Sequence, residues 1–191
     1  MVPAIVEGHL DGRLLSVLWR QLRLDERMLV VRDAGGSGFW KLASKYNEAG
    51  RHQLVVGLAD LEQAACAQAL LQRLKPSRSA GFKLRLAVRM LESWLLADRE
   101  AIATFLGVRV ATIPREPDRE AHPKRTLVDI ARTSRRRAIR EALVPDGSGA
   151  LVGPEYTPVI GTFIDSRWDA ARARLNSPSL ERACLRWMEE G

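Results

Sequence analysis

The chain has few cysteines and no long apolar run, and each shortage argues against a class of protein. Of its 191 residues only Cys66 and Cys184 are cysteines, and neither has a second Cys or a His at zinc-ligand spacing. The sequence therefore suggests neither a disulfide framework nor a zinc site. Both thiols are expected to be buried as small apolar side chains. No apolar stretch reaches the roughly 18 residues needed to span a bilayer, and the first residues do not resemble a signal peptide. We expect a soluble, cytoplasmic protein without a membrane partner.

Acidic residues are also in the minority. The chain has 30 Lys and Arg against 23 Asp and Glu, a formal charge of +7 and a pI near 10.1. This balance favours acidic partners, of which nucleic acid is the commonest. A chain of this length and hydrophobic content can bury about 70% of its unfolded surface, which is enough for one solid core. We expect a single domain over 1–191, with an α/β core in 1–112 and a mainly helical extension in 113–191. The oligomeric state does not follow from the sequence.

The first half of the chain alternates short β-rich runs with helical patterns. This alternation predicts the α/β class, with about four mainly parallel strands flanked by helices. The predicted strands are 3–6, 28–32, 54–58 and 82–88. Apolar spacing predicts helices from about residue 11, over 39–49, over 63–74, over 89–97 and over 99–106. Asp98 is placed to cap the last of these, and Gly107 to end it.

The second half is expected to contain longer loops. Proline and glycine favour loops over 113–123 and 145–158, with one or two helices over 124–143 between them. A final helix is predicted to begin at Pro178, capped by Ser177. Its expected apolar face comprises Leu180, Cys184, Trp187 and Met188.

Acidic side chains follow two of the predicted strands. Glu7 stands where the first strand gives way to Gly8, with Asp11 shortly after, and Asp60 and Glu62 follow the third strand. If the extended conformation continues to residue 62, the two-residue period points Asp60 and Glu62 to the same side. Ligands of open α/β sheets bind beyond the carboxyl ends of the strands. Carboxylate oxygens there are the ligands that Mg²⁺ prefers, so this edge is a candidate site for metal-assisted phosphoryl transfer.

Each acid also has a structural explanation. Asp11 can cap the first helix, and Glu62 can favour the positive N-terminus of the next. Glu7 can lie in a surface turn. Glu92 can pair with Arg89 within a helix, and the neighbouring Trp94 is expected in the core.

The acids stand in an order that resembles a known family. Glu7-Gly8-x-x-Asp11 before a helix, then Asp60-x-Glu62 after an apolar strand, is similar to the Toprim fold of topoisomerases, primases and overcoming-lysogenization-defect nucleases. Nearly the whole chain resembles the small prokaryotic Toprim-like family known as domain of unknown function 4276. The further segments that carry this resemblance are Glu92-x-Trp94-Leu95-Leu96-Ala97-Asp98, Pro123-Lys124, Tyr156, Gly161 and Ser177-Pro178-Ser179.

The resemblance implies a Mg²⁺- or Mn²⁺-dependent nuclease or phosphotransfer enzyme acting on DNA or RNA, in phage or mobile-element defence. It implies that Glu7 is the general acid or base and a metal ligand, and that Asp60 and Glu62 hold the metal. Asp11 matches the second acid of the motif, and Glu92 adds a carboxylate to the site.

The resemblance further implies that Lys124 contacts a phosphate. Glu62 departs from the family pattern, because it replaces the usual second aspartate and lengthens the ligand arm by one methylene. This departure motivates the alternative function, a catalytically inactive nucleic-acid-binding or adaptor module that works with a partner ATPase.

Two further segments have alternative explanations. Residues 132–140 carry five arginines and no acid, and they can either bind a phosphate backbone or form a solvated helical face. These arginines are Arg132, Arg135, Arg136, Arg137 and Arg140. The Gly35-Gly36-Ser37-Gly38 segment can be a strand-to-helix connection or a phosphate cradle, although it lacks the Gly-Lys-Ser/Thr ending of a Walker loop. The three histidines have no metal-binding spacing and are expected at the surface.

Overall fold

A four-stranded, all-parallel sheet in the order β2-β1-β3-β4 forms the centre of the protein. The computed structural model describes residues 1–62, 64, 66–72, 74, 78–147 and 149–189, leaving out the side chain of Ser37. The strands are β1 (Val2–Val6), β2 (Leu29–Asp33), β3 (Val55–Asp60) and β4 (Phe82–Ala87). The predicted α/β fold is therefore confirmed.

The strand register aligns the carboxyl ends of the sheet. Val6 is paired with Asp33 on one side and with Leu58 on the other, and Asp60 is paired with Ala87. The sheet therefore has one edge at which every strand ends.

Ten α-helices surround the sheet in the described part of the chain. They are α1 (His9–Gln21), α2 (Phe39–Ala49), α3 (Ala67–Leu71), α4 (Leu91–Ala97), α5 (Arg99–Leu106), α6 (Pro123–Arg132), α7 (Arg137–Leu143), α8 (Tyr156–Ser166), α9 (Ala170–Ala173) and α10 (Pro178–Met188). Short 3-10 turns occur at Gly36–Gly38, Val110–Thr112 and Pro117–Arg119.

The side chains of β1 alternate between two apolar cores. Ala4 and Val6 pack in the larger core with α1, whereas Ile5 packs in the smaller core with Phe39 of α2. The first two helices consequently cover opposite faces of the sheet. Strand β2 lies on one side of β1 and strand β3 on the other, so the order in which strands are added reverses between β1 and β3. Such a switch point opens a crevice at the carboxyl ends of the two strands.

The helices after residue 113 complete the larger core. Leu127 of α6, Leu143 of α7, Phe163 of α8 and Cys184 of α10 are fully buried there. Helix α8 packs on α1, and α6 packs on α4. The extension therefore covers the face of the sheet that carries α1.

Most element boundaries agree with the sequence prediction. Helices α2 and α5 have the predicted bounds, and Gly107 ends α5 with a left-handed φ of 71°. Ser177 caps α10 by accepting a hydrogen bond from the Leu180 amide at 3.2 Å.

Other boundaries differ. Helix α1 begins at His9, so Asp11 lies inside its first turn and does not cap it. Helix α8 begins at Tyr156, inside the loop predicted over 145–158. Pro158 does not prevent this, because it lies in the first turn, where its missing N–H would have no intrahelical partner. The helix predicted over 63–74 is reduced to α3 among its described residues. Residues 63, 65 and 73 of that prediction, and residue 148 of the predicted loop, lie outside the described residues.

Two polar side chains are placed differently from the prediction. Cys184 is buried as expected, but Cys66 is exposed because it lies on the connection before α3 rather than in a packed element. Asp98 precedes α5 without capping it. Its fully buried carboxylate instead accepts hydrogen bonds from the Asp169 amide at 2.9 Å and from Arg172 at 2.8 Å.

Every helix in the described ranges is too short or too polar to cross a membrane.

Candidate functional site

Four acidic side chains come together at the carboxyl end of the sheet. Glu7 directly follows β1, Asp60 is the last residue of β3, Asp11 lies in the first turn of α1 and Glu92 lies in the first turn of α4. They surround the crevice between β1 and β3, as the sequence predicted for Glu7 and Asp60. The other two reach the same place because the helix after each strand begins at this edge.

Backbone amides hold two of these carboxylates in place. The Asp60 amide donates a hydrogen bond to Glu7 Oε2 at 2.8 Å. The Leu91 amide donates one to Asp60 Oδ1 at 2.8 Å. Glu7, Asp60 and the start of α4 are therefore linked in sequence by short hydrogen bonds, which fix the positions of the carboxylates before any ligand binds.

Glu92 is buried, with 1% of its surface exposed, and it is held on one side only. Its Oε1 atom accepts a hydrogen bond from the Tyr156 hydroxyl at 2.9 Å and lies 3.5 Å from Lys124 Nζ. Its Oε2 atom is buried without a hydrogen-bond partner in the described structure. Buried carboxylate oxygens are normally hydrogen-bonded, so this oxygen of Glu92 is an exception among buried polar atoms.

Asp11 has the same property. It is 8% exposed, and its Oδ1 atom is buried without a hydrogen-bond partner among the described residues. The preceding Gly8 explains the Glu-Gly motif. A Cβ atom at position 8 would stand 3.1 Å from Asp11 Oδ2, closer than most such contacts. Glycine at position 8 thus leaves room for the Asp11 carboxylate.

Burial and the neighbouring acids raise the pKa values of Asp11 and Asp60. Burial, together with the charges of Glu92 and Glu7, raises the pKa of Asp11 to about 7, against a lowering by Lys124. Burial also raises the pKa of Asp60 well above its usual value, with added contributions from Asp11, Glu92 and Glu7. Like charges so close together oppose the ionisation of Asp11 and Asp60, which is unfavourable unless a cation or shared protons offset it.

The pKa of Glu7 is raised as well. Burial raises the pKa of Glu7, the hydrogen bond from the Asp60 amide lowers it, and the charge of Glu62 raises it. A carboxyl group with a raised pKa is closer to the range suited to proton transfer near neutral pH.

Glu62 lies outside the buried group. Strand β3 ends at Asp60, and Glu62 has a left-handed φ of 48°, so the extended conformation does not continue to residue 62. The side chain is exposed, while its amide donates a hydrogen bond to the Arg89 carbonyl at 2.7 Å. The expected alternation that would point Asp60 and Glu62 to the same side is therefore absent.

The partners of Glu92 also differ from one sequence interpretation. Arg89 precedes α4 and donates hydrogen bonds to the Glu62 and Ala64 carbonyls at 3.1 and 3.2 Å, rather than pairing with Glu92. Lys124, which the resemblance assigned to a phosphate, is the cation next to Glu92. Trp94 is fully buried, as predicted for a core residue.

The arginine-rich segment lies away from the acids. Lys124 is near the start of α6 and Arg132 is its last residue, about 12 Å further along the helix axis. Arg135 is exposed, and its side chain binds no residue in the described ranges. The other four arginines of the segment bind within the protein: Arg132 to Asp129, Arg136 to the Phe105 carbonyl, Arg137 to Glu141 and Arg140 to the Ser134 carbonyl.

The glycine-rich connection and the histidines are the remaining candidates. Residues 35–38 form the connection between β2 and α2, with a 3-10 turn at Gly36–Gly38, as one of the two interpretations predicted. His9, His52 and His122 are exposed. Within the described ranges, no three His, Cys, Asp or Glu side chains are already arranged to hold a metal ion together.

The Tyr156 contact is the feature of the site that residue spacing did not reveal. Tyr156 lies 64 residues from Glu92, and only its place in the family-like segments marked it. Burial raises the pKa of the Tyr156 hydroxyl well above its usual value, and the charge of Glu92 raises it further. The hydroxyl therefore stays protonated and donates to the carboxylate.

Replacing Tyr156 with phenylalanine is expected to lower the free energy of unfolding by about 1–3 kcal/mol, because Glu92 Oε1 loses a buried donor. Chemical denaturation of Tyr156→Phe beside Tyr46→Phe measures the effect. Tyr46 packs half-buried against the smaller core, away from the acids. Equal stability of the two variants would show that the contact with Glu92 contributes nothing.

Comparison of the chain with protein-family models, with curated proteins and with solved structures finds no match.

Proposed function

We propose that the protein hydrolyses phosphodiester bonds of nucleic acid with the help of Mg²⁺ or Mn²⁺ bound at the carboxyl end of the sheet. One observation carries this proposal. Two buried carboxylate oxygens, Asp11 Oδ1 and Glu92 Oε2, have no hydrogen-bond partner in the described structure and belong to a cluster of four acids. Buried charge of one sign requires a compensating partner, and a divalent cation supplies it.

The donor set suits a hard cation. Carboxylate oxygens are the preferred ligands of Mg²⁺ and Mn²⁺. Mg²⁺ usually keeps several waters and binds one or two protein carboxylates directly, together with substrate phosphate oxygens. A site of this kind does not need three side chains at direct ligand distance. When bound, the cation supplies Lewis-acid stabilisation of the phosphate and an activated water.

The residues of the chain have separable roles in this proposal. Asp60, Asp11 and the unpartnered oxygen of Glu92 would hold the cation. Glu7, whose pKa is raised, would transfer a proton to or from a reacting oxygen. Lys124 would attract a phosphate oxygen from its position beside Glu92. Glu62 would act from the exposed rim of the site, through its charge on Glu7.

Two properties support nucleic acid as the substrate. The net charge of +7 favours a polyanion, since phosphate contacts supply most of the affinity of non-specific nucleic-acid binding. The order of Glu7, Asp11 and Asp60 along the chain resembles that of Toprim enzymes, which act on nucleic acid.

A cleavage assay tests the proposal. Purified protein is incubated with single- and double-stranded DNA and RNA, in Mg²⁺, in Mn²⁺ and in EDTA, while calorimetry measures cation binding. We expect cleavage only with a cation, and its loss in Glu7→Gln but not in Glu48→Gln, which alters an exposed glutamate of α2.

Two outcomes would contradict the proposal. Cleavage that survives in Glu7→Gln would remove Glu7 from the reaction. Nucleic-acid binding without binding of either cation near millimolar concentration would instead indicate the inactive binding or adaptor module.

A further inference from the structure

A groove runs along the outer edge of β4, between α3 on one face of the sheet and α10 on the other. It encloses about 230 Å³. Four arginines line it: Arg78, Arg85, Arg182 and Arg186. None of the described residues that line it is acidic. A cleft with charges of one sign concentrates the electrostatic field and attracts counter-ions of the opposite sign.

The exposed arginines of the groove are largely available for a ligand. Arg78 and Arg182 are exposed, and the side chains of both bind no residue within the described part of the chain. Among the described residues, the Arg186 side chain binds only Glu189, in an exposed ion pair at 3.0 Å three residues further along the chain. Such surface pairs contribute little and are easily exchanged for another anion. The predicted arginine-rich segment differs in that two of its arginines, Arg136 and Arg140, bind backbone carbonyls of the protein.

The groove also has an apolar floor. Leu71, Leu86 and Val88 are half-buried and lie among the arginines. Guanidinium groups bind phosphate oxygens through paired hydrogen bonds. Apolar side chains between them can cover the faces of unstacked bases, which a single strand exposes and a duplex keeps inside its stack.

One end of the groove reaches the edge of the sheet at which the strands end. Val88 directly follows β4, and three residues later the Leu91 amide binds Asp60. A strand lying in the groove would therefore lead toward the carboxylates.

From this continuity we infer that the β4 groove binds the sugar–phosphate backbone of a single-stranded nucleic acid and directs it to the acidic site. The claim that the groove directs the strand to a site of cleavage rests on the proposed function, whereas the claim that the groove binds a single strand does not. Arg182 and Arg186 are the arginines best suited to test strand binding in the groove, since both are exposed on α10 and can be replaced without disturbing the core.

The test compares two double variants that remove the same charge. Arg182→Gln with Arg186→Gln alters the groove, and Arg135→Gln with Arg137→Gln alters the arginine-rich segment. Binding of labelled single-stranded DNA and RNA oligonucleotides, and of a duplex of equal length, is measured in EDTA over a range of salt concentrations. EDTA separates binding from cleavage, so an inactive metal site leaves this test intact.

We expect the groove variant to bind single strands about 25-fold more weakly at 0.1 M monovalent salt, with the salt slope reduced by about 1.4, because two phosphate contacts are lost. The matched variant should bind like the wild type. An equal or larger loss in the arginine-rich segment, tighter binding of duplex than of single strand, or displacement of the oligonucleotide by polyglutamate at equal charge would overturn the inference.

Discussion

Replacing Asp60 with asparagine is expected to reduce metal-dependent cleavage about a thousand-fold. Asp60 ends the central strand β3, and one of its oxygens is fixed by the Leu91 amide. Asparagine keeps the acceptor for that amide but removes the negative charge that the cation requires. Loss of several kcal/mol of electrostatic stabilisation in the transition state corresponds to a factor of this size.

The matched control for this prediction is Asp33→Asn. Asp33 ends β2 at the same edge of the sheet, is exposed and accepts a hydrogen bond from the Gly35 amide at 2.9 Å. The same chemical change at that position should leave cleavage within a few-fold of the wild type. Initial rates at saturating Mg²⁺, with thermal unfolding of each variant as the folding control, decide the matter. Equal rates for Asp60→Asn and the wild type would exclude Asp60 from the site.

Replacing Asp11 with asparagine is expected to stabilise the metal-free protein at pH 8 by about 4 kcal/mol. Asp11 is buried, and its pKa is raised from 3.8 to about 7. The folded state therefore holds a proton that the unfolded state has already released, and folding is disfavoured as the pH rises from about 4 to about 7. A shift of this size corresponds to about 4 kcal/mol at higher pH. Asparagine carries no charge and avoids this loss.

The pH dependence provides the measurement. Urea unfolding at pH 5 and pH 8 in EDTA should show a gap between Asp11→Asn and the wild type that widens with pH. Because Asp11, Asp60 and Glu92 interact, the change belongs to the set of groups rather than to one of them. Asp33→Asn should show no such gap. Mg²⁺ should restore stability to the wild type more than to Asp11→Asn, since a ligand stabilises the state that binds it. A variant less stable than the wild type at pH 8 would contradict the expectation.

The sheet and its acids could be predicted because both depend on neighbouring residues. Strand β3 is apolar up to Ala59, so its position was evident from the sequence, although the predicted strand ended at Leu58 and the observed one ends at Asp60. Parallel strands place their ends at one edge, and this placed Glu7 near Asp60. The prediction for Glu62 failed for a local reason. It extended the strand period two residues too far, and the left-handed backbone at residue 62 has no signature in a glutamate side chain.

The contacts of Glu92 and Asp98 could not be predicted in this way. Glu92 was assigned Arg89 as a neighbour on the same helix, and Asp98 was assigned a capping role. Both instead bind side chains from distant helices, Glu92 through Lys124 and Tyr156, and Asp98 through Arg172. Cys66 was expected to be buried from its residue type, but the connection that carries it is not packed.

Sequence alone was enough to establish a parallel α/β sheet with acids at its carboxyl edge, since hydrophobic period and strand direction are properties of contiguous residues. The packing of α6 on α4 and of α8 on α1, which brings Lys124 and Tyr156 to Glu92, was needed to show which oxygens of those acids have hydrogen-bond partners and which do not. It also showed that the exposed arginines of α10 border a groove with no acidic residue in its described lining. The burial and the pairing of a side chain depend on residues far apart in the chain, so only the tertiary structure determines them.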